Sequence, residues 1–588
     1  MQRPIHLALI MGLVFLIYPL KKGKKIGWGG LLFSILGFIS IGYVAYFYED
    51  IINRQATITE FDLIFGLSAI FLLVEATRRT NSWALVILAG VFVIYAFYGQ
   101  IMPDVIAHRG YGLEELIYYM FLSTEGIFGT AIGVSATYIY LFIFFGAILQ
   151  KSGMGEFFND ISLALLGNYS GGPAKVSVVG SGLMGTINGS AIANVVTTGA
   201  FTIPLMKRIG LKGEFAGAVE AVSSVGGYLM PPVMASTAFI MAEFLKVPYF
   251  EILKAAIIPA ILYYLAIILM VHFHVKKRNI KGLPKSELPN LKDVIKKRGF
   301  LIIPIFILIA LLIKGYTPLF AAFYSIVAAI IVSFFSKETR MGWKDIIDAS
   351  VIAAKNTVSV AIACAIVGVI MGIATLTGLG LTAASAVVKL GAGSLFLTLF
   401  FTMIASIILG MGLPSIPTYI LTATMAAPAL IQLGILPISA HLFVFYFGSL
   451  ANITPPVALA AFAAAGIAGS SPTKTGLAAM KLALAGFLIP FIFVYSPSML
   501  LQDTQWYEAL RVFLTGIFGV LSLSFAIEGF GLAKANWLER LVALITAILL
   551  ITTQWYTDII GIIILLTISI KQWKMLKKNK VKLYSTLS

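Results

Sequence analysis

The sequence predicts an all-α polytopic membrane protein built as an inverted repeat, with two re-entrant helical hairpins and two broken helices. Three observations predict it. The chain is 59% hydrophobic and only 11% charged; apolar runs recur from Ile5 to Ile570; and clusters of Gly, Ser, Asn and Pro return at one fixed spacing in the two halves.

A mean hydropathy of +0.97 lies far outside the range of water-soluble domains. A hydrocarbon core of roughly 30 Å takes about 20 apolar residues per crossing helix. In lipid the backbone must satisfy its own hydrogen bonds, and runs without period-two alternation do so as helices rather than as a barrel. The net charge of +17 comes from short clusters between the runs: Lys21 to Lys25, Arg78-Arg79, Lys207-Arg208, Lys276 to Arg278, Lys296 to Arg298, and Lys574 to Lys582. That placement fits the positive-inside rule and not nucleic-acid binding. The single Cys364 sits in an apolar run, which leaves no disulfide framework and no thiol metal cluster. Met1 to Leu20 has no basic leader and no small-residue cleavage site, so it reads as a retained span.

With basic loops taken as cytoplasmic, the first spans are 4–20, 28–48, 61–76 and 83–102, and the N-terminus is outside. Residues 111–124 are polar on one side and aromatic on the other, as in a helix lying at the interface. Span 128–150 returns to the cytoplasm at Lys151. Between Lys175 and Lys207-Arg208 lie small and apolar residues with positive charge at both ends, so both ends belong on one side. The segment therefore predicts a re-entrant hairpin with its tip at 186–190. From Glu214 a span runs outward through Ser223-Ser-Val-Gly-Gly-Tyr-Leu-Met-Pro-Pro232, which no continuous helix would choose. Spans 251–274, 300–314, 319–335 and 346–377 follow, with a loop at Lys276–Arg298 containing Pro284 and Pro289.

Gly153 and Gly378, Gly185 and Gly410, and Ser190 and Ser415 are each 225 apart; Pro231-Pro232 and Pro455-Pro456 are 224 apart. Two halves of one design are present. In the second, segment 393–434 lacks basic ends and counts as entering from outside, so the repeats are inverted. Span 437–467 passes through Gly448-Ser-Leu-Ala-Asn-Ile-Thr-Pro-Pro456; 476–496 and three further spans, 508–531, 538–553 and 557–571, end at a cytoplasmic basic tail. The expected organisation is scaffold helices with the interfacial helix in 1–125, the first repeat in 126–275, a cytoplasmic loop and scaffold helices in 276–345, the second repeat in 346–500, and extra transmembrane helices and tail in 501–588.

Paired broken helices and hairpins in an inverted repeat point to a midplane site of a secondary transporter. A broken helix exposes N–H groups with a positive dipole end, which can hold a carboxylate, and C=O groups that can coordinate a dehydrated cation. In the first half Asn188, Ser190 and Asn194 are candidate substrate contacts, and Gly185, Asn188, Gly189, Ser223, Ser224, Gly226 and Gly227 are candidate ion contacts. In the second, Pro414, Ser415 and Thr418 are the substrate candidates, flanked by Pro417, and Gly410, Gly412, Asn452 and Thr454 the ion candidates, flanked by Pro455 and Pro456. Isolated small residues such as Gly180 or Gly372 read instead as close helix packing. Glu220 and Glu243 flank the first break, but their counterparts Val444 and Ile467 are apolar. Glu220 is open to a coupling role or to a structural hydrogen bond with a neighbouring helix. His272 and His274 sit at a membrane edge, with no metal-ligand spacing. No Gly-x-x-x-x-Gly-Lys-[Ser/Thr] pattern occurs, so an ion gradient and not ATP is the expected energy source.

The run Gly185-Thr-Ile-Asn-Gly-Ser-Ala-Ile-Ala-Asn-Val-Val-Thr-Thr-Gly-Ala-Phe-Thr-Ile-Pro-Leu-Met-Lys-Arg208 resembles a signature of tripartite ATP-independent periplasmic (TRAP) transporters, in the branch with fused small and large membrane subunits and a TAXI-type binding protein. Met230-Pro-Pro-Val-Met234, Gly410-Met-Gly-Leu-Pro-Ser415 and Ile453-Thr-Pro-Pro456 are similar to it as well. The resemblance covers about residues 5–500, with 1–125 similar to the small subunit and 126–500 to the large one. It implies an inner-membrane permease of the elevator type, Na⁺ bound near each hairpin tip with H⁺ as the alternative, a soluble partner that delivers substrate on the outer face, and a small organic anion, in particular a carboxylate, as cargo. Members of this branch often carry another span before the one starting near Ile5.

Two other classes compete. An intramembrane enzyme, such as a lipid-modifying transferase, would need titratable or metal-binding residues converging at one depth, which this sequence lacks. A passive channel would not explain two hairpins entering from opposite faces. The expectation is a transporter and not an enzyme.

Overall fold

The apolar runs fold as helices, because only a helix pairs every backbone group within the segment. The computed structural model describes residues 1–19, 27–54, 57–502, 504–552 and 554–585, with side chains to residue 577. The Lys21–Lys25 cluster, read above as a cytoplasmic loop, lies outside the described residues, as do the side chains of the tail beyond residue 577. Seven helical stretches among the described residues are long and apolar enough to cross a membrane. Beyond one isolated bridge, Phe530 with Lys534, the described residues form no β pairing.

The chain opens with α1 (Gln2–Ile17), α2 (Trp28–Tyr46), α3 (Tyr48–Asn53), α4 (Glu60–Thr80), α5 (Trp83–Phe97) and α6 (Leu113–Ile117). A π-helical turn, Tyr118–Leu122, continues α6 over the stretch expected at the interface. Then come α7 (Thr130–Val134), α8 (Tyr140–Lys151), α9 (Met154–Leu166), α10 (Gly172–Gly185), α11 (Ala191–Arg208), α12 (Gly213–Gly226), α13 (Thr237–Leu245), α14 (Tyr249–Lys277) and α15 (Leu291–Arg298). The second half has α16 (Ile303–Ile313), α17 (Pro318–Ser333), α18 (Trp343–Leu376), α19 (Leu379–Leu390), α20 (Leu395–Gly410), α21 (Ser415–Met425), α22 (Ala427–Gln432), α23 (Pro437–Leu450) and α24 (Leu459–Ala468). The chain closes with α25 (Pro472–Ala483), α26 (Leu488–Tyr495), α27 (Trp506–Glu528), α28 (Trp537–Leu549) and α29 (Trp555–Ser585).

Most expected spans appear within a few residues of their expected bounds. Three elements go beyond them. Two short amphipathic helices, α9 and α19, start from Gly153 and Gly378, each a left-handed glycine (φ 87° and 69°) that turns the chain sharply. The span expected at 476–496 is interrupted at 484–487, between α25 and α26. The polar loop at 276–298 contains α15, whose Arg298 pairs with Glu156 (2.8 Å) and Asp160 (3.4 Å) of α9.

The helices gather into two compact units. The first comprises Met1–Ser152, Ser236–Phe250 and Leu301–Ala451; the second comprises Gly153–Ala235, Glu251–Phe300 and Asn452–Ser588. In the first, α18 is the axis: α1, α4, α5, α7, α8 and α21 all pack on it, and it is buried over most of its length. The outward faces of α2, α4 and α5 carry large apolar side chains such as Leu32, Phe38, Phe71 and Ile87, as a lipid-facing surface does. In the second, α10, α11 and α12 pack on one another, and α27, α28 and α29 join α14 through Phe273, Phe525, Ala543 and Ile568. Glu528, nearly buried at the end of α27, receives Lys481 of α25 at 3.0 Å, while its backbone carbonyl accepts from Lys277 of α14 at 2.7 Å.

The division runs through both breaks. The boundary at Ala235/Ser236 separates α12 from α13, and the boundary at Ala451/Asn452 separates α23 from α24. Within the first unit α13, from the first repeat, packs on α21 and α23 of the second; within the second unit α24, from the second repeat, packs on α11 and α12 of the first. Each hairpin is thus joined by the far arm of the other repeat's broken helix.

Candidate functional site

Helix α10 stops where glycine and polar residues offer the backbone alternatives to the helix. Residues 186–190 are non-helical. The Asn188 N–H still donates to the Met184 carbonyl (2.9 Å), and the Asn188 side chain accepts from the Ser190 N–H (3.2 Å). Ser190 then caps α11, its hydroxyl accepting from the Ala193 N–H at 3.3 Å. The tip lies against the end of α12: a Cβ on Gly227 would stand 2.7 Å from the Gly185 Cα, so both positions need glycine for this approach. Tyr228 accepts from the Ala191 N–H at 3.0 Å, binding the start of α11 to the break.

The break itself runs from Gly227 to Ser236. Met234, Ala235 and Ser236 have φ of 50°, 54° and 60°, three successive side-chain-bearing residues in the left-handed region that is costly for L-residues. The bond between Pro231 and Pro232 is cis, as is that between Pro455 and Pro456. The carbonyls at the end of α12 are covered in order. Tyr263 donates to the Val222 carbonyl and Tyr264 to that of Ser223, both at 2.9 Å, and tight-turn N–H groups follow on Ser224, Val225 and Gly226. Both tyrosines come from α14 and were invisible as site residues in the sequence.

The second tip follows the same plan. Helix α20 ends at Gly410, residues 411–414 are non-helical, Gly412 takes φ 77°, and Pro414 leads into α21. Thr418 donates to the Pro414 carbonyl at 2.9 Å and is fully buried; Ser415 is buried beside it. A Cβ on Gly410 would meet the Gly448 carbonyl at 2.6 Å and Ala451 Cβ at 3.0 Å, and Ala451 is the 224-residue counterpart of Gly227. The Gly412 carbonyl accepts from Ser82 at 3.2 Å. Tyr419 and His441 share a hydrogen bond of 2.8 Å between α21 and α23.

The structure thus brings Gly185, Asn188, Gly189 and Ser190 to one tip beside Ser223, Ser224, Gly226 and Gly227, and brings Gly410, Gly412, Pro414, Ser415 and Thr418 to the other. Asn194 is buried between the hairpin arms, its amide donating to the Ser181 carbonyl at 2.9 Å. Ser223 donates to the Val219 carbonyl at 2.7 Å. Asn452 and Thr454 lie just beyond α23, Asn452 buried. Among the described residues no three His, Cys, Asp or Glu side chains converge as metal ligands. The oxygen donors at the tips are carbonyls and hydroxyls, which suit a hard monovalent cation.

Glu220 lies under the first tip, fully buried. Its carboxyl oxygens accept from Ser177 and Ser181 of α10 (2.7 Å each), from Thr198 and Thr202 of α11, and from Ser224 of its own helix (3.3 Å). The hydrogen bond to a neighbouring helix is present, made to two helices at once.

The family profile described as "Tripartite ATP-independent periplasmic transporter, DctM component" matches residues 68–506. A putative TRAP transporter large permease protein of Haemophilus influenzae is 22% identical over 63% of this chain and 86% of its own length. The C4-dicarboxylate TRAP transporter large permease protein DctM of Pseudomonas aeruginosa is 23% identical over 63% of this chain and 86% of its own. The isethionate TRAP transporter permease protein DctMQ of Oleidesulfovibrio alaskensis is 23% identical, over 61% of this chain and 56% of its own length.

Proposed function

The chain belongs to the DctM family of tripartite ATP-independent periplasmic transporters, which are permeases and not enzymes, and from that premise we propose that it is a fused TRAP membrane subunit of the TAXI-type branch. In this reading it takes up a small organic carboxylate across the inner membrane, driven by an ion gradient. The observation that carries the proposal is the pair of interrupted hairpins, at 186–190 and 411–414, each packed on a broken helix of its own repeat.

Na⁺ is the proposed coupling ion, with H⁺ the alternative. At the first tip it would be held by oxygens of Gly185, Asn188, Gly189, Ser223, Ser224, Gly226 and Gly227. In the second repeat Gly410 and Gly412 on the hairpin would serve. Its positive charge beside the tips would favour an anionic cargo. The chain's own groups do the rest. The N–H groups opening α11 and α21 offer a dipole end to a carboxylate, with Asn188, Ser190, Asn194, Pro414, Ser415 and Thr418 as the contacts. Glycines let the backbone approach the cargo, and the packed arms exclude water.

A soluble TAXI-type protein is the proposed donor of substrate on the outer face, with the N-terminus outside and the C-terminus cytoplasmic. The hairpins enter from opposite faces and move as an elevator; the basic residues at both ends of the first hairpin, their lack at the ends of 393–434, and the exchange of α13 and α24 support that. Relatives named for C4-dicarboxylate and isethionate support an organic anion as cargo. The test is uptake of labelled carboxylates into proteoliposomes supplied with the binding protein. Ser190→Trp and Ser415→Trp should each abolish uptake while leaving membrane insertion intact; normal uptake in both variants would overturn the assignment.

A further inference from the structure

The five hydroxyl bonds to Glu220 reach three helices. Their spacing is regular. Ser177 and Ser181 are one turn apart on α10, Thr198 and Thr202 one turn apart on α11, and Ser224 one turn beyond Glu220 on α12. Two hydroxyls on one face of a helix fix both its height and its rotation against the group they share. One carboxyl group therefore sets the register of both hairpin arms against the helix that ends at the break.

We propose that Glu220 is the positioning residue that holds the first tip in its cation-binding shape without touching the cation. This rests on the reading that the first tip binds the coupling cation. The tip is a short span of backbone slung between Gly185 and Ala191, so the directions of its carbonyls follow from the register of the arms. The network continues upward: the Asn194 amide donates to the Ser181 carbonyl (2.9 Å), joining the arms three residues from Ala191 and four from Gly185. Above it, Gly185 presses on Gly227, and Tyr228 takes the Ala191 N–H.

Without the carboxyl group the arms retain their helices and their packing but lose their common anchor. The competent tip then becomes one member of a broader ensemble. A cation must select it, which lowers apparent affinity by the competent fraction and leaves the bound state unchanged. A residue needed only for folding would instead lower stability at every cation concentration.

The experiment measures hydrogen exchange of the tip segment 184–196 in the full chain in lipid nanodiscs, titrated with Na⁺ against choline. In the wild type, protection should rise saturably with Na⁺. Glu220→Gln keeps one acceptor and turns the other into a donor; its half-saturating Na⁺ should rise about fivefold, the worth of one net hydrogen bond, with the same plateau. Ser177→Ala removes one donor far from the tip and should shift the midpoint in the same direction by about twofold. Unshifted midpoints in both variants would overturn the proposal, as would a midpoint unshifted in Ser177→Ala alone if Glu220→Gln fails to fold. A wild-type tip that does not respond to Na⁺ would overturn the Na⁺ reading and the proposal together; a responding wild type with unshifted variants would overturn the proposal alone.

Discussion

In the first repeat Ser177 and Ser181 turn their hydroxyls toward Glu220, whereas their counterparts 225 residues on, Thr402 and Ser406, donate to carbonyls one turn back on their own helix, both at 2.7 Å. Val444 stands in place of Glu220, and Ala423 and Ala427 stand in place of Thr198 and Thr202. Between α21 and α23 the second repeat has the Tyr419–His441 bond, on a residue whose counterpart, Asn194, ties the first hairpin's arms together. The two hairpins share a backbone plan and differ in how they are fastened. A buried polar cluster has to be satisfied as a whole, because a lone carboxyl group among apolar neighbours is far costlier than a packed valine. That explains why Glu220, Thr198 and Thr202 change together between the repeats.

The largest expected effect is at the glycine contact. Gly227→Val would drive a branched side chain into the Gly185 backbone, and we expect loss of uptake and of the hydrogen-exchange protection of 186–190; Gly189→Ala, whose new Cβ would stand 3.5 Å from Ala235, should be tolerated. Next is Val444→Glu. With alanines at 423 and 427 the new carboxyl group would lack donors, and thermal unfolding in detergent should show destabilisation of about 2–3 kcal/mol or more. Adding Ala423→Thr and Ala427→Thr should recover much of it; no recovery would mean that the hydroxyls do not form the fastening.

Smaller effects sharpen the same contrast. Tyr264→Phe removes the donor to the Ser223 carbonyl and should cost about 1–2 kcal/mol. Ser181→Ala should cost about 1 kcal/mol because it strips a bond from Glu220, whereas Ser406→Ala, which loses only a bond within its own helix, should stay within about 0.5 kcal/mol. Equal costs for the two serines would erase the distinction between the repeats.

The helices of this chain were legible because bilayer-length apolar runs leave few alternatives, and the tips because Thr186 to Ser190 and Gly410 to Ser415 combine helix breakers with a fixed repeat. What was not legible lacks such signals. Helices α9 and α19 are short and amphipathic, and the Gly153/Gly378 repeat that marked their starts gave no length. The eight residues of α15 carry Lys292, Asp293, Lys296, Lys297 and Arg298, and look like a loop unless the pairing with Glu156 and Asp160 is known. Four of the five hydroxyls that fasten Glu220 lie 18 to 43 positions away; the i, i+4 spacing of Ser177/Ser181, Thr198/Thr202 and Glu220/Ser224 was the one trace of it in the sequence. Tyr263 and Tyr264 lie in an apolar run where an aromatic residue signals only burial.

Hairpins that enter the membrane from opposite faces predict a distinct pattern of cysteine labelling from each side. In a Cys364→Ala background, which removes the single buried thiol, cysteines at Asn168 and Arg208 should label from the cytoplasmic side and cysteines at Lys389 and Gln432 from the outer side, all four being exposed positions. Labelling of either pair from two different sides would contradict it.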